Sequence, residues 1–414
     1  MTTLLKKSLL PSLYQREVIP SLAKRGEGRF ESGFTLIELL ITMVVFVLVI
    51  AAASGIFTEL LTQFKQQSKI AETNIEGIVG LDMLRRDIEH AGYGLPWGGL
   101  IAYNEAASAP ESNYNDSTTT SPPRAFISGN NVAFFAGANA IFNGTDYLII
   151  KASNVARSDT AQRWTHLRAG NVKIDDLSGD SFVNNDRVIV LSPSDSKSLV
   201  TSAGAFYTLY NSTSGFQPSG SEVYIIYGVD PDTSPLRMPF NRADYFVRRF
   251  DGAGNNITPQ RCNPNTGVLE KATVNQGNGA LSFDPLLDCV ADMQVVYRLD
   301  MNEDGTIGTS SNADGSSVTT TEGATVGTVQ GTLADASLLR SRLKEVRVYI
   351  LAHEGQYDRD YRYREGQPNR NLVNVQEPLI GMGRVFDLIT IDATNWQNYR
   401  WKVYTLVIKP NNLR

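Results

Sequence analysis

Glu38 is the single acidic residue in an apolar run that extends from Phe34 to Phe57. An acidic side chain at the centre of a membrane-spanning helix costs roughly 2.5–3.5 kcal/mol on insertion scales, so an ionisable group in such a run is a functional candidate by default. The residues around it decide what that function is. From Leu39 to Phe57 no charge occurs, and in Leu39 to Ala53 Thr42 is the only polar side chain. At 1.5 Å rise per residue, about 20 residues cross a hydrocarbon core about 30 Å thick, so the segment is long enough to span once.

Two further groups of residues have types and spacings that suit chemistry. Asp300, Asn302, Asp304 and Thr306 stand at alternate positions of a D-x-N-x-D-G-x-I stretch in which Gly305 permits a sharp turn. Oxygens spaced in this way converge on a hard cation such as Ca2+. The twelfth position is Ser311, where a calcium loop of the EF-hand kind has a bidentate Glu, and Asp314 is the substitute if the loop folds back. The same residues also form plain polar turns, because Asp and Asn bond their own backbone. Cys262 and Cys289 are the only cysteines. A disulfide between them would close a loop of 27 residues and stabilise by roughly 3 kcal/mol, and two buried thiols are the alternative. A metal centre on these cysteines is not expected, since no CxxC occurs and the three histidines are scattered.

Catalytic signatures are missing: the chain has no GxSxG, HExxH or phosphate-loop sequence, so no enzyme activity is expected. Arg359, Arg362, Arg364 and Arg370 interleave with Tyr357, Tyr361 and Tyr363, a mixture that can grip single strands. Six of the 38 basic and five of the 43 acidic residues lie at or before Leu61, which leaves 32 bases against 38 acids beyond it. That balance gives no electrostatic footprint for nucleic acid.

The elements that carry these residues follow from patterning. Before the apolar run lie Lys6, Lys7, Arg16, Lys24, Arg25 and Arg29 against three Glu, and the charged stretch meets the run directly. This is not the layout of a secretory signal, whose apolar part is discarded; a cut after Gly33 would discard the basic leader and keep the apolar helix. The positive leader is expected to stay cytoplasmic. Beyond the run, Phe57, Leu61, Phe64, Ala71, Ile75, Ile78, Leu81, Ile88 and Ala91 recur at helical steps, and no proline occurs between Pro20 and Pro96. One helix from about Thr35 to His90 is predicted, ending at the Gly and Pro of Gly92 to Pro96. Gly55, Gly77 and Gly80 are its expected weak points, and Gly55 the place where it would loosen.

The stretch GFTLIELLITMVV resembles the cleavage and assembly motif of type IV prepilins and type II secretion pseudopilins. The resemblance implies that a prepilin peptidase cuts after Gly33 and that Phe34 becomes the N-methylated amino terminus. It also implies that Glu38 neutralises the amine of a neighbouring subunit as helices stack into a filament, a pairing that a low-dielectric bundle rewards. MLRRDIEHAGYG, Met83 to Gly94, is similar to the helix end of PilW-type minor pilins, relatives of minor pseudopilin J. LLDCVADMQVVYRLDMNEDG, LKEVRVYILAHEG and VYTLVIKPNNLR resemble that family's late strands. Implied with it are an α+β, type IV pilin-like fold and a role in starting pilus assembly at or near the tip. The partners would be other minor pilins, the major pilin and, before assembly, the inner membrane, with the head in the periplasm and later extracellular. A minor pseudopilin of type II secretion and a tip adhesin are the alternatives.

The resulting plan has a removed leader at 1–33, a transmembrane and filament-core helix at 34–57, an amphipathic continuation at 58–95, and a β-rich head at 96–414. DYLIIKA, RVIVLS, EVYIIYGV, ADYFVRRF and MQVVYRL read as strands of one large antiparallel or mixed sheet, or of two sheet lobes. Loops are expected at 106–124 and 309–337, where few apolar residues are available for burial.

Overall fold

The computed structural model describes residues 34–99, 101–116, 122–132, 144–174, 182–193, 196–231, 235–377 and 381–413. The leader 1–33, with Gly33, lies outside them. Two compact units are formed, divided between Leu61 and Thr62.

A single helix, Leu36–His90, runs through Gly55 without a break. Thr58 Oγ1 bonds back to the carbonyls of Ser54 and Gly55 at 3.1 and 2.8 Å, so its hydroxyl is satisfied within the helix. The helix stops where Gly92 and Gly94 take φ of +83° and +64°, conformations that cost glycine little. Leu81, Leu84, Ile88 and Ala91 form its buried face at steps of three and four. Side chains of this kind contribute about 1.5–3 kcal/mol each when fully buried, Ala less. The stripe predicted further up the helix is corrected here: Ile75 and Ile78 are 64% and 66% exposed, and Gly77 and Gly80 take the inward positions. Gly80 is therefore a contact point, not a weak one. A Cβ there would meet the backbone of Leu286.

The face formed by Leu81 to Ala91 packs on a nine-stranded antiparallel sheet. Its order is Phe126–Gly129, Tyr147–Ala152, Asn241–Arg248, Gly267–Val274 and Leu281–Leu299. The last of these is 19 residues long and organises the rest. Val290 pairs with Gly267 on one side and Ala352 on the other, so Leu343–Glu354 continues the sheet and pairs in turn with Arg400–Ile408. Met293, Val295, Tyr297 and Leu299 point into the core under the helix while Val296 faces the other way, the alternation a strand buried on both faces requires. Ala291 also faces away, because a register shift between Val290 and Asp292 interrupts the alternation there. That second face is covered by the hairpin Leu372–Glu377 and Met382–Asp387, with Trp396, Tyr399 and Trp401.

A second, six-stranded sheet is built from Trp164–Arg168, Val172–Ile174, Arg187–Ser192, Ser198–Leu199, Thr208–Leu209 and Val223–Asp230. Val188 and Val190 pack on one of its faces and Ile189 and Leu191 on the other. Among the described residues the head thus has two large sheets and one two-stranded hairpin inside one compact unit.

The two expected loops behave differently from a solvated coil. Thr309–Asn312 and Val318–Thr320 form a hairpin on Leu281–Leu299, and two helices, Val326–Ala334 and Ala336–Arg342, follow. The composition is polar, yet the few apolar side chains converge: Val329 and Leu339 enter the main core. The polar residues cap the helices, with Thr325 accepting from Thr328 N and Asp335 from Ser337 N and Leu338 N. In 106–124, Ala106 enters the core, Glu111 and Asp116 are buried, and Glu111–Tyr114 makes one 3-10 turn; residues 117–121 lie outside the described ones.

Candidate assembly site at the start of the helix

Thr35 precedes the first helical residue, and its hydroxyl accepts from Glu38 N at 3.3 Å. Glu38 Oε2 reaches back to accept from Thr35 N at 3.1 Å and from Thr35 Oγ1 at 3.0 Å. This reciprocal pair is a capping box: two backbone N–H groups that the first turn would leave without partners are satisfied by two side chains. The carboxylate also lies at the positive end of the helix dipole. Within a single chain, Glu38 is held by its own helix terminus and by the residue adjoining Phe34.

Phe34 is 81% exposed, and the large apolar side chains from Leu36 to Ile50 are all about half exposed or more. Among the described residues Leu36–His90 is the one helix long and apolar enough to cross a membrane. A helix that is apolar all round needs lipid or other apolar helices about it. The structure therefore brings Phe34, Thr35 and Glu38 together at the exposed end of such a helix. The sequence had singled out Phe34 and Glu38; Thr35 was missed, although the T-x-x-E spacing signals it.

Asp300, Asn302, Asp304 and Thr306 form a turn directly after Leu281–Leu299. Asp300 accepts from Asp304 N at 3.1 Å and Gly305 N at 2.9 Å, and Asp304 accepts from Thr306 N at 2.7 Å and Asn302 Nδ2 at 3.0 Å. These bonds hold Asp304 below the usual carboxylate range, the Thr306 N–H contributing most. Asp314 does not close the loop; it sits in the hairpin turn and accepts from Ser316 N at 2.9 Å. Glu322 comes instead, with its Oε2 accepting from Met301 N at 3.0 Å. Carboxylate oxygens of Asp300, Asp304 and Glu322 lie within 4.8 Å of one another, and Glu322 Oε1 is buried with no hydrogen bond among the described residues. Lys344 Nζ stands 3.6 Å from Asp300. The donor set is hard oxygen, which fits a calcium-like cation, and the turn is closed by its own hydrogen bonds as well.

Cys262 and Cys289 are joined, with their Cα atoms 5.0 Å apart. His353 lies against the pair, fully buried, with Tyr399 and Trp401 around it. Burial holds its pKa down at about 3, and its Nε2 accepts from Asn263 N at 2.9 Å. This is a neutral packing histidine, because the two sulfurs are engaged with each other. The adjoining Glu354 bonds Lys402 and Tyr404 across the sheet.

Of the residues that suggested strand gripping, Tyr363 is buried, and Arg400 covers Tyr361 as Arg364 covers Tyr363. Those faces are taken within the chain.

Residues 28–54 match the prokaryotic N-terminal methylation motif. No curated protein and no solved structure matches the chain. The motif, the apolar helix it opens and the antiparallel head on the helix support a pilin or pseudopilin subunit that prepilin peptidase processes.

Proposed function

We propose that the chain is a minor pilin of the PilW type, which joins other minor pilins and the major pilin to start a type IV pilus at or near its tip. Prepilin peptidase cuts after Gly33, Phe34 is N-methylated, and the subunit waits in the inner membrane with its head in the periplasm. The protein works by binding other subunits and carries out no catalysis. The observation that carries this reading is Glu38, a self-capped carboxylate four residues from the new terminus of a helix apolar on every side. On assembly that carboxylate exchanges the Thr35 cap for the methylated amine of a neighbouring subunit, so no charge is left alone in the apolar bundle. A head of this length suits a subunit present in few copies better than a repeating one.

Mass spectrometry of the N-terminal peptide, from membranes and from sheared filaments of the native organism, tests the reading. An N-methylated Phe34 peptide in filaments is the expected result. The same peptide confined to membranes would move the assignment to a secretion pseudopilin, and an intact Gly33–Phe34 bond would end the pilin reading.

A further inference from the structure

The strand Tyr147–Ala152 carries a lysine with no solvent exposure. Lys151 Nζ lies 2.6 Å from Glu105 Oε1 and 2.7 Å from Asp116 Oδ2, in a cluster where Glu105 is 1% and Asp116 7% exposed. The ring of Phe240 lies near the ammonium, its centroid 5.3 Å away. Ordinary ion pairing does not require such burial. Charges taken from water pay a desolvation cost of several kcal/mol each, which attraction in the interior only partly returns.

We propose that Lys151 and Asp116 condense into an intramolecular isopeptide bond, with Glu105 as the proton shuttle. The amine of Lys151 attacks Asp116 Cγ, and a C–N bond replaces the Cγ–Oδ2 bond. Of the three protons on the ammonium, one stays on the amide nitrogen and two leave on Oδ2 as water. One of these passes through Glu105 Oε1 and the other goes straight to Oδ2. A cation and an anion are consumed, a neutral amide and one water are formed, and nothing is oxidised or reduced.

The neighbours are placed for each part of this step. Glu105 Oε1 also accepts from Asp116 N at 3.1 Å, so it is fixed beside both reactants, and Arg242 Nη1 anchors its other oxygen at 2.9 Å. Arg124 Nε lies 2.6 Å from Asp116 Oδ1, the oxygen that becomes the oxyanion and then the amide carbonyl. A guanidinium at that point stabilises the tetrahedral intermediate as an oxyanion hole does. Fixed proximity contributes the rest: well-oriented intramolecular reactions reach effective molarities of about 10⁵–10⁸ M. The bond would lock the segment before the first strand of the main sheet onto the second, a covalent staple independent of the Cys262–Cys289 pair.

Intact-mass measurement of the purified full chain in detergent, with disulfide and N-terminal state assigned, tests this. The expected mass is lower by one water than that calculated from the sequence. Peptides must be made with pepsin, because the linked tryptic pair Asp87–Arg124 and Ala125–Arg157 has the same mass as the uncut peptide. Glu105→Gln is expected to restore the missing water, and Lys151→Arg to show no link. Asp116→Asn is expected to lose ammonia instead and reach the wild-type product mass. Should the variants fail to fold, the wild-type mass still decides: a full sequence mass at these residues overturns the proposal and leaves an ion-paired cluster. A linked Glu105→Gln would overturn the shuttle.

Discussion

A Cβ on Gly80 would lie 1.9 Å from the carbonyl oxygen of Leu286. The helix and the long strand therefore touch backbone to backbone, and the closeness is possible only because position 80 lacks a side chain. Overpacking of a well-filled contact typically costs about 1–3 kcal/mol. Gly80→Ala is expected to lower the melting temperature of the detergent-solubilised chain by several degrees. Gly55→Ala, with nothing within 4 Å, should hold or raise it, since Ala is favoured in a helix by about 1 kcal/mol. Equal melting for the two variants would count against the contact.

Glu38→Ala removes half of the capping box at the helix terminus. Peptidase processing should continue, and the amount of subunit in sheared filaments should fall well below wild type. Immunoblots of the membrane and filament fractions read both at once. Normal incorporation would show that the carboxylate serves the cap alone.

His353 should give the head an acid-sensitive limb. Its pKa is 6.5 in an unfolded chain and about 3 in the fold, so between these values the unfolded state binds the extra proton. The stabilising contribution is complete above pH 6.5 and is lost as pH falls toward 3, at most about 1.4 kcal/mol per pH unit. Asp146 works in the opposite sense: burial raises it from 3.8 to about 7, so its contribution is complete below 3.8 and fades as pH rises to 7. Denaturant titrations of wild type and His353→Gln across this range separate the two. The variant, which keeps an acceptor for Asn263 N but cannot titrate, should show a flatter acid limb. An unchanged slope would mean that His353 is not buried neutral.

Calcium should raise the melting temperature, and Glu322→Gln should abolish the rise, because Glu322 Oε1 is the carboxylate oxygen of the cluster with no hydrogen bond among the described residues. Lack of any response to calcium or to a chelator would leave Asp300 to Thr306 a self-closed turn.

The helix was legible because its signals are local: an uninterrupted periodicity, no proline, and Gly92 with Gly94 as a stop. The strands at 147, 187, 223 and 241 were legible from their alternating or continuous apolar runs. What escaped reading depended on partners remote in sequence. Gly77 and Gly80 look like flaws in a helix until Leu286 and Leu287 are placed beside them. The 309–337 stretch is too polar to predict a fold by composition, and only the convergence of Val329 and Leu339 on the main core orders it. Likewise Lys151 is an ordinary strand lysine until Glu105 and Asp116, 46 and 35 residues away, close on it. Glu322 could not be matched to the Asp300 turn, because a whole hairpin separates them.

The end of the long helix is sealed by chain that comes much later. Asn411 N bonds Glu89 O at 2.9 Å, Asn412 reaches the same carbonyl across 323 positions, and a Cβ on Gly92 would sit 3.1 Å from Leu413. Contacts of such separation carry a loop-closure entropy that must be met before they return anything, which makes folding slow. During synthesis this end of the helix, at Glu89 and Gly92, stays unsealed until almost the whole head has emerged. A ribosome that stalls before residue 400 leaves the main sheet without the strand Arg400–Ile408 and the end of the helix without its seal.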